Sequence, residues 1–261
     1  MNKRIKIYTH SGVFHADEVF AIALIEVFTK LEIEVYRTRD EQLINNAKKE
    51  NDCMLIDLGS EYDISRKLFD HHQSDSLPAS NVLILNYLFN KGLIDNNVYP
   101  ELLGIMQGIS DWDINANEVH QRWDYSFVNV SMLISAYNIN PKNNAQQDIA
   151  FGRAINVAVE YLRNQLRFIE TKVKSKKDYE SGNKLSDKVI MFDSYNSFWK
   201  QAGEFPFAVM PNDQGYMIMS LNSSKWPLPE IKHKDLIFLH NARFIAIFKT
   251  KEAALEVAKK L

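Results

Sequence analysis

The chain has 261 residues, and 46% of them are hydrophobic, so it can bury the core of one large domain or of two smaller ones. Its formal net charge of −2 at pH 7 excludes a global basic field for nucleic acid, so any polyanion site must be local. The single cysteine, Cys53, excludes a disulfide framework, and the lack of a signal peptide or of an apolar run of ~20 residues favours a cytoplasmic protein that does not enter membranes.

The first half of the chain alternates apolar runs with helical patterns. Strands are expected at 5–8, 33–38 and 53–58, with a further short strand within 62–69. Helices are expected at 16–30, 41–50, 80–91, 99–109 and 124–137. Because strands and helices alternate at this spacing, the pattern predicts an α/β fold with a parallel sheet and crossover helices.

The second half of the chain has a different pattern of predicted helices and strands. After a polar turn at 138–144, apolar residues step by three or four positions from Phe151 to Val173, which predicts one long helix. The segment 181–183 is the best candidate for a linker. Short strands are then expected at 189–192, 206–210, 216–221, 236–239 and 244–248, with a closing helix at 251–260. This change predicts two domains: 1–182 with the parallel sheet, and a smaller α+β domain at 183–261.

Two clusters of histidines and carboxylates lie at the ends of predicted strands. The first contains His10, His15 and Asp17, and the second contains Asp57 followed by His71 and His72. In an open α/β sheet the carboxyl ends of the strands form the crevice that binds ligands. Taken alone, each of these residues could be a helix cap or a satisfied polar group, but their co-occurrence at strand ends favours a metal site.

Asp57 could bridge two metals through its two carboxylate oxygens, and one more acid is expected from the segment 110–113. This set suffices for two ions ~3.5–4 Å apart that activate water, which predicts a metal-dependent hydrolase. Imidazole and carboxylate donors favour manganese, iron, cobalt or zinc over magnesium, which prefers oxygens. We expect two divalent ions, manganese first, with magnesium, cobalt, iron or zinc as alternatives.

The sequence 70–72, Asp-His-His, resembles the signature of the DHH phosphoesterase superfamily. The longer segments 9–18, 57–63 and 69–73 resemble the melanocyte-proliferating-gene protein family, whose eukaryotic members act as exonucleases. The resemblance continues through 140–141, 151–154, 227–230, 239–245 and 249–255, and so spans nearly the whole chain. It implies a DHH-type catalytic domain, at 1–182, and a substrate-binding domain, at 183–261.

The resemblance also implies roles for individual residues. The metal ligands would be His10, His15, Asp17, Asp57 and His71, with either Asp111 or Asp113 as a further acid. His72 would face the substrate phosphate beside the catalytic Asp57. Candidate substrate-binding residues in the second domain are His240, Arg243, Lys225 and Lys249, although an isolated lysine is about as often an ordinary surface residue.

The chain departs from the family at two places. Ser11 stands where the family commonly has aspartate, and Arg243, Ala246 and Ile247 stand in a stretch that is usually rich in glycine. Glycines there allow backbone N–H groups to approach a phosphate. Arg243 could compensate by holding a phosphate with its planar fork, or it could fill the pocket and reduce activity.

The resemblance favours a metal-dependent phosphoesterase that hydrolyses phosphodiester bonds of short oligonucleotides or small nucleotides. Two alternatives stay open. The first is a phosphatase or pyrophosphatase for small molecules, and the second is a metal-binding regulatory protein with weak catalysis. An extended basic surface for nucleic acid is not expected at this net charge, and an oligomer is compatible with the sequence.

Overall fold

The computed structural model describes residues 4–120, 129–140 and 142–261. The chain forms two compact units, Met1–Arg167 and Phe168–Leu261, and one long helix runs through the point of division. The predicted domain boundary between residues 182 and 183 stays a prediction. Within the described ranges, no helix has both the length and the apolar character needed to cross a bilayer.

The first unit carries a five-stranded sheet and most of the helices. Its elements are β1 (Arg4–Thr9), α1 (Ala16–Phe28), β2 (Glu32–Arg37), α2 (Glu41–Ala47), β3 (Cys53–Ile56), β4 (Tyr62–Asp63), β5 (Leu68–Phe69), α3 (Ser80–Asn90), α4 (Tyr99–His120), α5 (Val130–Ser135) and α6 (Asn144–Tyr179). Helix α4 contains a non-helical residue, Asn115. Helix α6 is the long helix that continues into the second unit.

The order of strands in this sheet is β2-β1-β3-β5-β4. Strands β1, β2, β3 and β5 run parallel, and only β4 is antiparallel to its neighbour. The chain passes from β1 to β2 on one side and then crosses to β3 on the other side of β1. The carboxyl ends of β1 and β3 therefore flank a topological switch point, which is where open α/β sheets bind ligands.

Both faces of the central strands are covered. Strand β3 is buried at all four positions, as expected for a parallel strand between two layers of helices. Helix α1 is buried from Ala16 to Ile25 and packs against α3, while α2 lies on the other face with Ile44 and Ala47 against Cys53. These two layers cover both faces of the sheet at β1 and β3.

The second unit is built around a six-stranded mixed sheet. Its strands and helices are β6 (Asn183–Lys184), β7 (Val189–Met191), α7 (Trp199–Ala202), β8 (Phe207–Asn212), β9 (Gly215–Ser220), β10 (Leu236–Leu239), β11 (Ile245–Phe248) and α8 (Lys251–Ala258). The strand order is β10-β11-β9-β8-β7-β6, and only the β7–β8 pair is parallel. Apolar clusters cover its two faces, and α8 belongs to one of them.

The predicted α/β class, with a parallel-sheet N-terminal part and a smaller α+β part, is confirmed by these two sheets. Three local predictions need correction or completion. The single strand expected within 62–69 is a hairpin of two short strands, and β6 and α7 were not expected. The helix predicted at 124–137 is described only as α5, because residues 124–128 lie outside the described ranges.

Candidate metal centre

Asp57 lies at the centre of the cluster at the switch point. It follows β3 directly, and its backbone has φ +53°, a left-handed conformation that aspartate tolerates better than most residues. Its Oδ2 lies 3.2 Å from His10 Nε2, and its Oδ1 lies 3.3 Å from His71 Nε2. One carboxylate thus stands between two imidazoles, with one oxygen turned towards each.

The turn after Asp57 depends on Gly59. This residue has φ +99°, and an added Cβ would come within 2.8 Å of the Lys48 side chain. Lys48 Nζ donates a 2.7 Å hydrogen bond to the Gly59 carbonyl. The next residue, Ser60, donates its N–H to Asp70 Oδ2 at 2.6 Å, so this turn is tied to the strand that leads to His71. A larger residue at position 59 would disturb this part of the site.

The loop between β1 and α1 brings a buried glutamate into the cluster. Glu18 accepts the His15 backbone N–H at 2.9 and 3.0 Å, and its Oε1 lies 3.1 Å from His10 Nε2. The sequence prediction did not include Glu18 among the site residues. Its signal was its spacing: a glutamate three residues after the residue that precedes a helix commonly caps that helix.

Further contacts extend the cluster on the other side of Asp57. His71 Nε2 lies 3.5 Å from Asp113 Oδ2 and 4.0 Å from Asp17 Oδ2. His15 Nδ1 lies 3.8 Å from Asp113 Oδ1. Asp17 is fully buried at the N-terminus of α1, where the helix dipole favours a negative charge. The structure therefore brings together His10, His15, Asp17, Asp57, His71 and Asp113.

Asp111 and Asp113 were expected at the end of a helix, but both lie inside α4. Two residues along an α-helix differ by about 200° in direction, so only one of the two can face the cluster. Asp113 faces it, whereas Asp111 is exposed and accepts a hydrogen bond from Gln107 Nε2 at 2.8 Å. The geometry favours Asp113 as the acid of this helix.

His72 lies at the exposed edge of the cluster, with its Nδ1 3.5 Å from Asp57 Oδ1. Its side chain is 59% exposed, and its Nδ1 lies 2.7 Å from Asp70 Oδ1. Asp70 itself is buried and also accepts the His72 backbone N–H at 3.1 Å. Since a carboxylate only accepts hydrogen bonds, His72 Nδ1 carries the proton in this contact, and Nε2 is left for other partners.

The loop that joins His10 to His15 is held by a polar network. Asn138 accepts the Phe14 N–H and donates to the Phe14 carbonyl, both at 3.0 Å. Arg37 Nη2 and Gln147 Nε2 donate to the Gly12 carbonyl at 2.7 and 3.1 Å. Gly12 has φ +93°, which suits glycine and turns this carbonyl towards its donors. These contacts fix the positions of the two histidines on either side.

The electrostatics of the cluster show an excess of negative charge. Burial raises the pKa of Asp17, and the charges of Asp57 and Glu18 raise it further. Burial disfavours the charged form of His10, but hydrogen bonds to Asp57 and Glu18 outweigh it and raise its pKa to about 10. Burial also opposes ionisation of Asp57, but the contacts with His10 and His71 hold its pKa well below the usual range. Such a set of acids is stabilised by cations.

Several buried atoms in the cluster have no hydrogen-bond partner among the described residues. They are both oxygens of Asp17, Oδ1 of Asp57 and Nε2 of His71. An unsatisfied buried acceptor is costly unless another group completes it. The possible ligand atoms fall into three compact sets that share members: His10, His15, Glu18 and Asp57; Asp57, His71 and His72; and His15, Asp17 and Asp113. Imidazole and carboxylate donors arranged in this way fit divalent transition ions.

Two cavities of about 330 and 320 Å³ open beside the cluster. His15, Asp57 and His72 line both cavities. The first cavity is also lined by His10, Arg39, Leu58, Gly59, Ser60 and Asp70. The second cavity is also lined by His71, Ser74, Asp75, Leu77, Asp113 and Ile114. A ligand in either cavity would touch the same central aspartate.

The predicted substrate-binding residues of the second unit are only partly brought together. His240 and Arg243 lie in the turn between β10 and β11, where the Arg243 N–H donates to the His240 carbonyl at 2.7 Å. Exposed Lys225 lies close to that turn in the fold, since Leu228 and Arg243 pair through their backbones. Lys249 follows the far end of β11, roughly 20 Å from Arg243 at the usual rise of a strand.

The family comparison agrees with the position of the motifs. The family model MYG1_exonuc, described as an uncharacterised protein family (UPF0160), matches residues 6–82. The MYG1 protein of Chlamydia pneumoniae is 33% identical over 160 residues, which cover 60% of this chain and 52% of that protein. Human MYG1 exonuclease is 30% identical over 129 residues, covering 47% and 33% of the two chains. Mouse MYG1 exonuclease is 23% identical over 330 residues, covering 97% and 84%.

Two solved structures show a more distant likeness. The pGpG-specific phosphodiesterase PggH of Vibrio cholerae shares 10% identity with a TM-score of 0.33, covering 82% of this chain and 80% of that chain. RecJ of Thermus thermophilus in complex with Mn²⁺ shares 12% identity with a TM-score of 0.27, covering 99% and 51%. The chain matches about half the length of the MYG1 proteins of three Chlamydia species. The resemblance predicted from the motifs is confirmed by the family model and by these relatives, to which the chain is similar in sequence.

Proposed function

We propose that this chain is a metal-dependent phosphoesterase that hydrolyses phosphodiester bonds of short oligonucleotides or small nucleotides. One observation carries the proposal: the Asp57 carboxylate lies between His10 and His71, and its buried Oδ1, although 3.3 Å from His71 Nε2, forms no hydrogen bond with the described residues. That arrangement suits a bridge between two cations. The human and mouse relatives bear the name MYG1 exonuclease, which supports phosphodiester bonds as the target.

The first set of residues in the proposal holds the metals. His10, His15, Glu18 and Asp57 form one compact set that can supply one position. For the other position we propose Asp57, His71, Asp17 and Asp113, since His71 Nε2 lies 3.3 Å from Asp57, 4.0 Å from Asp17 and 3.5 Å from Asp113. Divalent ions in such a site act as Lewis acids towards water and phosphate oxygens. Because imidazoles stand beside carboxylates at both positions, manganese, iron, cobalt or zinc suit the site better than magnesium, and manganese is the ion we propose.

The second set of residues acts on the substrate. Asp70 holds the ring of His72 through Nδ1, so Nε2 is turned towards other partners in the cavities that His72 lines. With both ring nitrogens protonated, His72 donates from Nε2 to a phosphate oxygen while Nδ1 keeps its contact with Asp70. A preorganised donor of this kind stabilises the negative charge that develops on phosphate oxygens during in-line attack by water. We propose that His240 and Arg243 provide further donors. His240 Nδ1 accepts the Ala242 N–H, so the neutral ring keeps its proton on Nε2.

The experiment that tests the proposal measures nucleotide release and bound metal together. Purified protein loaded with Mn²⁺ is given a four-residue oligonucleotide, a dinucleotide or pyrophosphate, and products are separated by chromatography. Asp57→Asn is the inactivating variant, and Asp111→Asn is the matched control, because exposed Asp111 lies outside the cluster. We expect mononucleotide release by the wild type and the control, and its loss in Asp57→Asn.

Each alternative function has its own outcome. Hydrolysis of pyrophosphate alone would favour a phosphatase for small molecules. Stoichiometric metal binding without turnover of any substrate would favour a regulatory protein with weak catalysis. Fewer than one bound ion per chain in the wild type would contradict the metal centre itself.

A further inference from the structure

Arg39 is placed beside the cluster by the register of the sheet. Strand β2 pairs with β1 in parallel, with Arg37 opposite Thr9, and the Thr38 N–H donates to the Thr9 carbonyl at 2.9 Å. Two residues beyond the end of β2, Arg39 therefore lies next to Ser11, in the loop that carries the site histidines. The carboxyl end of β2 thus contributes a side chain to the same edge as β1 and β3.

The backbone on either side of Arg39 is fixed. The Asp40 N–H donates to Thr38 Oγ1 at 3.0 Å. The Asp40 side chain caps α2 by accepting the N–H groups of Gln42 and Leu43 at 2.8 and 3.0 Å. The backbone of Arg39 is therefore held between a strand end and a helix cap.

The guanidinium of Arg39 is only partly used by the protein. Nε donates to the Ser11 carbonyl at 3.0 Å, and Nη2 lies 3.2 Å from His10 Nδ1. In the part of the chain that the structure describes, no carboxylate lies within ion-pair distance of this group. Arg37, two residues earlier, differs: its side chain is 2% exposed and is bound to Asp148 at 3.0 Å. Arg39 keeps its positive charge and several N–H donors available.

Arg39 lines the 330 Å³ cavity beside the cluster and brings a positive charge to its wall. Among the described residues that line this cavity, Arg39 is the only lysine or arginine. The other described walls are the cluster residues His10, His15, Asp57 and His72, the turn around Gly59, and Asp70, which is bonded to Ser60 and His72. A phosphate ester in this cavity would turn some of its oxygens to the ions at Asp57 and would leave others without a partner.

We propose that Arg39 is a phosphate-binding residue of this site and holds the phosphate oxygens that the metal centre leaves free. A guanidinium matches phosphate because its planar fork can donate two parallel hydrogen bonds. The inference rests on the proposed function, since it assigns the substrate class to the same cavity. It also gives the first unit a phosphate-binding cation of its own.

The test compares Arg39→Ala and Arg39→Lys with Arg4→Ala. Arg4 lies at the opposite end of the same sheet, at the start of β1, and pairs with Glu32 and Glu34, so its loss removes an equal charge away from the cavity. Three quantities are measured on Mn²⁺-loaded protein: bound metal, the Kd for inorganic phosphate by calorimetry, and kcat and KM for a dinucleotide. We expect Arg39→Ala to keep the metal and to weaken phosphate binding and raise KM about 10- to 100-fold, the scale of a lost charged hydrogen bond. Arg39→Lys should recover part of that loss, and Arg4→Ala should match the wild type.

The outcomes separate this inference from the proposed function. Weaker phosphate binding in Arg39→Ala, with no dinucleotide turnover by the wild type, would support the phosphate site and contradict the phosphodiesterase. Turnover by the wild type, with Arg39→Ala equal to Arg4→Ala in Kd and KM, would overturn the role of Arg39 alone. Loss of metal in Arg39→Ala would also overturn it, because Arg39 would then act by orienting His10.

Discussion

Asp70 holds His72 by two contacts: its Oδ1 lies 2.7 Å from His72 Nδ1 and accepts the His72 backbone N–H at 3.1 Å. The two neighbouring histidines therefore have different surroundings. His71 Nε2 is buried among Asp17, Asp57 and Asp113, whereas His72 is exposed and lines both cavities. A carboxylate behind an imidazole fixes its tautomer and its direction, which is the arrangement expected for a group that must meet a substrate.

We predict that His72→Ala keeps its bound metal and its fold, and that kcat falls by about 100-fold or more, the scale of losing one preorganised donor. Asp70→Asn should retain its bound metal, and its kcat should fall about 10-fold. This substitution leaves His72 in place but weakens the contact that orients its ring. Metal analysis and steady-state kinetics of both variants are the measurements. Loss of metal in His72→Ala would show that His72, rather than His71, completes the metal centre.

The two acids of α4 allow a matched comparison. Asp113→Asn should reduce bound metal, because Asp113 lies 3.5 Å from His71 Nε2 and in one of the compact ligand sets. Asp111→Asn should leave metal content unchanged, since Asp111 is exposed and bonded to Gln107. Metal content after dialysis against limiting Mn²⁺ is the measurement. Equal losses in the two variants would remove the basis for choosing Asp113.

Most of the site could be predicted from the sequence because its residues follow strands. Parallel strands end at one edge of a sheet, so residues just after β1 and β3, such as His10 and Asp57, are brought together by topology alone. The choice between Asp111 and Asp113 could not be made in this way. It depends on the rotation of α4 about its axis, which packing decides and which a short motif does not encode.

Other residues of the site were missed because their role depends on tertiary contacts. Glu18 is a helix-capping residue by its spacing, and only the fold places its Oε1 3.1 Å from His10 Nε2. Arg39 lies in a polar segment before α2, and only the pairing of β2 with β1 brings it to Ser11. The sequence does not separate β4 from β5, because each strand has only two residues, too few to show a period.

Cys53 should be inert towards thiol reagents in the folded protein. Burial raises the pKa of its thiol to about 12, and a hydrogen bond to Glu50 adds to the effect. Only the thiolate is nucleophilic, so its fraction at pH 8 is very small. Native protein should react with a chromogenic disulfide much more slowly than protein unfolded in guanidinium chloride, which should release one equivalent. Rapid reaction of the native protein at pH 8 would contradict this burial.

The polar network under the histidine loop should be important for stability. Asn138→Ala removes the side chain that bonds both backbone groups of Phe14 and accepts from Gln147 at 2.7 Å. We expect a loss of about 1–3 kcal/mol in the free energy of unfolding, since several partners lose hydrogen bonds at once. Asn45→Ala, at an exposed position of α2, should change stability by less than about 0.5 kcal/mol. Urea unfolding of both variants provides the comparison, and equal values would show that the loop does not depend on Asn138.

Arg243 combines a strained backbone with a role that we propose in phosphate binding. Its φ is +54°, a conformation that favours glycine, and its guanidinium makes one long hydrogen bond of 3.4 Å to the Leu228 carbonyl. Replacing Arg243 with glycine would relieve that strain by about 1 kcal/mol. Part of this gain is offset because glycine makes the unfolded chain more flexible. Arg243→Gly should therefore leave Tm unchanged or raise it slightly.

The activity of the same variant tests whether Arg243 holds the substrate or fills its pocket. We expect kcat/KM of Arg243→Gly for a dinucleotide to fall about 10-fold or more, because a charged hydrogen bond to phosphate is lost while bound metal is retained. Arg243→Lys should fall by less, since lysine keeps the charge but cannot donate two parallel hydrogen bonds. Kinetics, metal content and thermal unfolding are measured on the same preparations, so that a folding defect is recognised. A rise in kcat/KM, or turnover of larger substrates by Arg243→Gly, would mean that the arginine obstructs a site that a glycine loop would leave open.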